Sequence, residues 1–196
     1  MTHLAPPSVR LLVCGNADRG DDGAALSAVA TLLPSLPTAL LERLEVRRCG
    51  HLRVEDLVDV PAGEVAVVVD AAVGIAPGHV VTLPIRRIAG DAAAPAPRSS
   101  HELPVDQVLG LADVMRPGGL PEGSFVGIGG RRFGYGRPLS RSVRVNMSTF
   151  QAAIAAELSR LAHVPVENPA ATAAGPEASA ASTEGHRRPG EAPSPA

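Results

Sequence analysis

Residues 20–23 read Gly20-Asp21-Asp22-Gly23, two carboxylates held between two glycines. An apolar run, Val9–Cys14, precedes them, and a helical pattern of Leu26, Val29, Ala30 and Leu33 follows. The acids therefore fall at a strand-to-helix turn, and in open α/β sheets ligands and chemistry collect at the carboxyl ends of strands. Asp70 closes Val65–Val69, the most continuous apolar run in the chain, and His101 stands at the expected opening of a later helix. Two carboxylates and a neutral imidazole can ligate one divalent metal. Each piece alone has a simpler reading. Asp21 suits the N-cap of the first helix, where the helix dipole favours acids, and a single His beside Ser is ordinarily a surface or capping residue. What gives Asp21, Asp22, Asp70 and His101 weight is that a mostly parallel sheet brings its strand ends to one rim.

Other chemistries are poorly supported. GxGxxG is absent, and two acids at a helix mouth repel a pyrophosphate. No GKS/T loop occurs, and all 18 basic residues are Arg, so no nucleotide cofactor is expected. Ser99 and Ser100 lack a GxSxG elbow, and Cys14 has no identifiable base. Cys14 and Cys49 form no CxxC pair and read as buried free thiols in a reducing compartment. A net charge of −2 gives no electrostatic reason to expect nucleic acid or an anionic membrane as partner. No signal peptide and no run of about 18 apolar residues is visible, so a cytoplasmic, soluble protein is expected.

The elements that must position these residues are read from periodicity. Val9–Cys14 is strand 1. A helix is expected over about 22–33, ended by Pro34 and Pro37. Leu44–Arg48 alternates as a half-exposed strand, and Val54–Val60 as a short helix stopped by Pro61. Val65–Val69 is a central parallel strand buried on both faces. Ala71–Pro77 is too short for a helical crossover, so Val80–Leu83 is expected antiparallel to strand 3 or at an edge. Ala89–Arg98 reads as a loop. Ser99–Glu102 opens a helix whose apolar set is Val105, Val108, Leu109, Ala112 and Met115. Phe125–Ile128 is the last strand, Gly129–Pro138 a Gly/Arg loop, and about 140–162 one long helix capped by Ser140. This order predicts a three-layer α/β domain. With 45% hydrophobic residues in 196, one domain over 9–164 is expected, after an N-terminal extension at 1–8. From Pro165 the chain turns to Ala, Pro, Ser, Glu and Gly, and residues 165–196 read as a disordered tail.

The motifs Gly15-Asn16, Gly20-Asp21-Asp22-Gly23, Val69-Asp70-Ala71, Pro77-Gly78, Ser100-His101, Gly127-Ile128 and Leu139-Ser140 occur in an order and spacing that resembles the nickel–iron hydrogenase maturation endopeptidases. The resemblance covers about residues 9–162. It implies a three-layer α/β/α fold with a five-stranded mixed, mostly parallel sheet. It also implies removal of a C-terminal extension from a hydrogenase large-subunit precursor once nickel has been inserted. The metal-contacting trio it implies is Asp22, Asp70 and His101, with nickel carried by the substrate, or another divalent metal, as the ion. Asp21 then caps the first helix and supports the site. The chain departs from the pattern at Val13, where Gly is usual, at Asp18, where an apolar residue is usual, and at His51, where a small hydroxyl is common. Two alternatives stay open: a non-proteolytic chaperone that holds the precursor's tail, and a different α/β peptidase on the same scaffold.

Overall fold

A computed structural model describes residues 8–90 and 103–164. Five strands form one sheet: β1 Val9–Cys14, β2 Leu44–Cys49, β3 Val65–Ala72, β4 Val80–Pro84 and β5 Gly123–Gly129. Their order is β2-β1-β3-β5-β4, and only β4 runs antiparallel, against β5. The expected five-stranded, mostly parallel sheet is therefore present.

β1 and β3 are apolar throughout because both their faces are covered. Alternate residues point to opposite sides. Leu11, Val13, Val67 and Val69 enter the layer under α1 (Ala24–Leu32) and α7 (Met147–Ala162). Leu12, Cys14, Val68 and Ala72 enter the layer under α3 (Val54–Val58), α4 (Ile85–Gly90) and α5 (Val105–Met115). α1 presents Ala24, Ala25 and Ala28 to the sheet, small side chains that let the helix lie close. α7 buries Phe150, Ile154, Leu158 and Leu161, the stripe expected from its period. Among the described residues, no helix is long and apolar enough to cross a membrane.

Several expectations are corrected. The first helix opens as a single 3-10 turn, Gly20–Gly23, and becomes α-helical only at Ala24. β3 runs on to Ala72, so Asp70 lies within the strand instead of after it. β4 takes the sheet edge, one of its two expected places, and pairs antiparallel with β5 instead of β3. α4 occupies the start of the expected loop, too short at Ile85–Gly90 for periodicity to declare it. Pro104 sets the start of α5 at Val105, later than expected, because the residue before a proline is disfavoured in the helical region. Met115, at its end, is 64% exposed and outside the core. The long C-terminal helix is two: α6 (Arg141–Val145) and α7 meet at Asn146, whose φ of −104° and ψ of 9° leave the helical basin. A four-residue α2 (Thr38–Leu41) precedes β2. The N-terminal extension up to residue 7, His101, most of the expected 89–98 loop and the tail 165–196 lie outside the described residues.

Candidate functional site

The site is built where β1 ends. Gly15 leaves the strand at φ +116°, a conformation that favours glycine. A Cβ there would overlap the Asp22 carbonyl oxygen. The chain therefore folds the acid turn directly back onto the strand end, and Gly15 N–H donates to Gly50 O at 3.2 Å. Val13, the departure from the family pattern, is 1% exposed and belongs to the core; the turn is made two residues later.

Asp21 does not cap α1. Neither the 3-10 turn nor α1 has a side-chain cap. Its carboxylate instead reaches across the molecule, where Oδ2 accepts from Arg131 N–H at 2.7 Å and Arg132 N–H at 2.9 Å. Its Oδ1 accepts from Ser140 N–H at 2.6 Å. Burial raises the Asp21 carboxyl, but the Ser140, Arg131 and Arg132 amides outweigh it and hold the group below its ordinary range. Asp21 N–H also donates to Arg132 O at 2.7 Å. The expected capping role is therefore replaced by a clamp on distant backbone amides. Ser140, by contrast, caps α6 as expected: its Oγ accepts from Val143 N–H at 3.5 Å.

Asp22 is fully buried, and Arg19 Nη1 stands 4.0 Å from its Oδ2. Arg19 is itself held, its Nε donating to Phe133 O at 3.3 Å and its guanidinium lying 5.2 Å from the Tyr135 ring centre. Asp70 is 1% exposed, and its Oδ1 accepts from Ala71 N–H at 2.8 Å. The acid turn packs against β3, so Asp22 and Asp70 share one rim of the sheet.

Across that rim runs a row that sequence reasoning missed. Cys14 pairs in register with Cys49 of β2. Asp70 lies one step beyond the Val13–Val69 pair and faces Gly127 of β5. Both thiols are free and buried, as expected. The hydrogen bond to Cys49, burial and the nearby Asp70 charge push the Cys14 thiol up, so it is a poor nucleophile. The signal for this row was present in the sequence as two strands that each end in Cys and then Gly. The clamp of Asp21 on residues 131, 132 and 140 had no local signal, since its partners lie 110 to 119 positions away.

Of the expected trio, the structure brings Asp22 and Asp70 to one rim, and His101 lies outside the described residues. Among the described residues, no three His, Cys, Asp or Glu side chains converge closely enough to hold a metal ion. Buried oxygen donors of the Asp22 and Asp70 kind, joined by an imidazole, are a donor set that suits a divalent cation.

A three-layer α/β/α sheet with two acids buried at one rim defines the architecture. No protein-family profile matches the chain, and no curated protein matches it in sequence. Solved structures do share the fold. The hydrogenase maturating endopeptidase HybD from Escherichia coli superposes with a TM-score of 0.61 at 21% identity, over 78% of this chain and 93% of that one. The [NiFe] hydrogenase maturation protease HybD from Thermococcus kodakarensis gives 0.53 at 24%, over 79% and 99%. HycI, a [NiFe] hydrogenase maturation protease from Thermococcus kodakarensis KOD1, gives 0.56 at 19%, over 79% and 94%. At these identities the likeness establishes a shared fold over nearly the whole of each relative.

Proposed function

We propose that this chain is an endopeptidase that removes the C-terminal extension of a nickel–iron hydrogenase large-subunit precursor. The observation that carries the reading is the pair of buried acids, Asp22 and Asp70, on one rim of a fold shared with hydrogenase maturation proteases. Structural support with no acids at the rim would favour a chaperone; here burial of two carboxylates, costly in itself, is retained.

In this reading nickel arrives on the precursor as part of the substrate. Asp22, Asp70 and His101 are the residues that would contact it, and a divalent metal at that place supplies polarisation of the scissile carbonyl. The chain's own contribution is positional and basic. One of the two carboxylates accepts the proton of the attacking water. Arg19 holds Asp22 in place, and the Asp21 clamp fixes the turn that carries Asp22.

The test is conversion of purified precursor to the shortened large subunit, followed by intact mass, with nickel-loaded and nickel-free precursor in parallel. Cleavage of the loaded form alone is expected. Equal cleavage of both forms would mean a different peptidase, and tight binding without cleavage would mean a chaperone. Asp22→Asn, Asp70→Asn and His101→Ala are each expected to slow cleavage by about 10²–10⁴-fold. An undiminished rate in any of them removes that residue from the site.

A further inference from the structure

Beside the acid turn opens a cleft of about 550 Å³. Gly15, Gly20 and Gly23 border it on the side that carries Asp22, and Leu26 and Ala30 of α1 give it an apolar surface. Its remaining lining includes Arg48, at the end of β2, and Arg137. A second cavity of about 450 Å³ is lined by Arg132, Gly134 and Arg137, so Arg137 stands between the two. No acidic residue lines either cavity among the described residues. This local cationic surface contrasts with a chain whose net charge is −2.

Several arginines elsewhere in the molecule are neutralised locally. Arg10, Arg19, Arg47, Arg53 and Arg160 each sit within 4.0 Å of a carboxylate oxygen. Arg48 and Arg137 are exposed, and neither has a carboxylate partner among the described residues. β2 is an edge strand, paired only with β1, and its C-terminal residues Arg48–Gly50 line the cleft. An open strand edge is a template for an extended peptide, and a guanidinium fork is matched to a carboxylate.

We infer that this cleft docks the precursor's C-terminal extension as an extended segment bearing carboxylates, with Arg48 and Arg137 reading the negative charge and α1 taking a small apolar side chain. The inference rests on the peptidase reading above and specifies which segment that peptidase takes. It also gives the glycines beside Asp22 a second use, because a peptide lying in the cleft passes directly along the acid turn.

The experiment is fluorescence anisotropy with the full chain and two labelled eight-residue peptides. One alternates valine and glutamate and keeps its free carboxyl terminus; the other carries glutamine for glutamate and a terminal amide. The acidic peptide is expected to bind at least about tenfold tighter, and to lose that advantage as salt screens it. Arg48→Glu and Arg137→Glu should each weaken it by about tenfold or more, with thermal midpoints unchanged. The doubly reversed variant should prefer a valine–lysine peptide. Equal binding of the first two peptides, or indifference to both substitutions, overturns the inference. So does tighter binding of a single-stranded oligonucleotide through the same arginines, which would make the surface a general anion patch. These measurements need neither nickel nor cleavage. Normal processing of loaded precursor by the doubly reversed variant sinks the docking inference alone; intact peptide binding without any processing sinks the peptidase reading alone.

Discussion

Asp21 accepts three backbone hydrogen bonds from Arg131, Arg132 and Ser140 while fully buried. Hydrogen bonds to a charged acceptor contribute more than neutral ones, and removing the acceptor leaves buried amides without partners. Asp21→Ala is expected to cost about 3–5 kcal/mol and Asp21→Asn about 1–3 kcal/mol at neutral pH, read from urea midpoints. The pH dependence follows from the depressed folded carboxyl. Its contribution is complete above the unfolded value of about 3.9 and is lost as pH falls through the lower folded value. The stability gap between wild type and Asp21→Asn should therefore narrow below about pH 4; a gap that stays constant to pH 2 would show that the clamp is not electrostatic. Gly15→Ala meets both a positive φ and the Asp22 carbonyl, so it should lower the thermal midpoint and slow processing together. Asp22 and Asp70 were legible in the sequence as acids beside apolar runs. Asp21 was read as a cap because caps are local and common, whereas its true partners are distant in sequence and are backbone amides, which carry no residue signature.

The elements show where periodicity carries information. β1 matched its expected limits, and β3 was read correctly as a central strand, since strands buried on both faces read as unbroken apolar runs. The stripe of α7 was equally clear, and Ile154→Ala there should cost about 2–5 kcal/mol by calorimetry, as Ile154 is fully buried. Ser140→Ala should cost about 1 kcal/mol through loss of the α6 cap. The break at Asn146 was invisible, because the apolar stripe continues in phase on either side of it. It has a local anchor in the structure: Asn146 Nδ2 donates to Ser142 O at 2.9 Å. α4 was missed because one apolar pair, Ile85 and Ile88, cannot declare a period. The partner of β4 was missed because strand neighbours are chosen by sheet topology, and β5 lies far downstream in the chain.

At the scale of the whole molecule, both apolar layers, among the described residues, are assembled from residues between Val9 and Val164. Removal of residues 166–196 is therefore expected to leave the thermal midpoint within about 2 °C, a shift that corresponds to under ~1 kcal/mol for a domain of this size. A larger loss would assign that segment a packing role. The clamp at Asp21 has a further consequence at this scale. One carboxylate ties down Arg131 and Arg132 at the start of a loop and Ser140 at its end. Between them, Gly136 N–H donates to Asp18 O at 2.8 Å, Phe133 O accepts from Arg19 Nε at 3.3 Å, and Arg137 forms a backbone bridge to Arg19. The stretch 133–139 is thus a cassette with both ends soldered to the frame, and Arg137 rides on it. Exchanging Arg137 and Pro138, while sparing Phe133, Tyr135, Gly136 and Leu139, should retune what the rim accepts without disturbing the acids, much as a lathe takes a new tool in a fixed chuck.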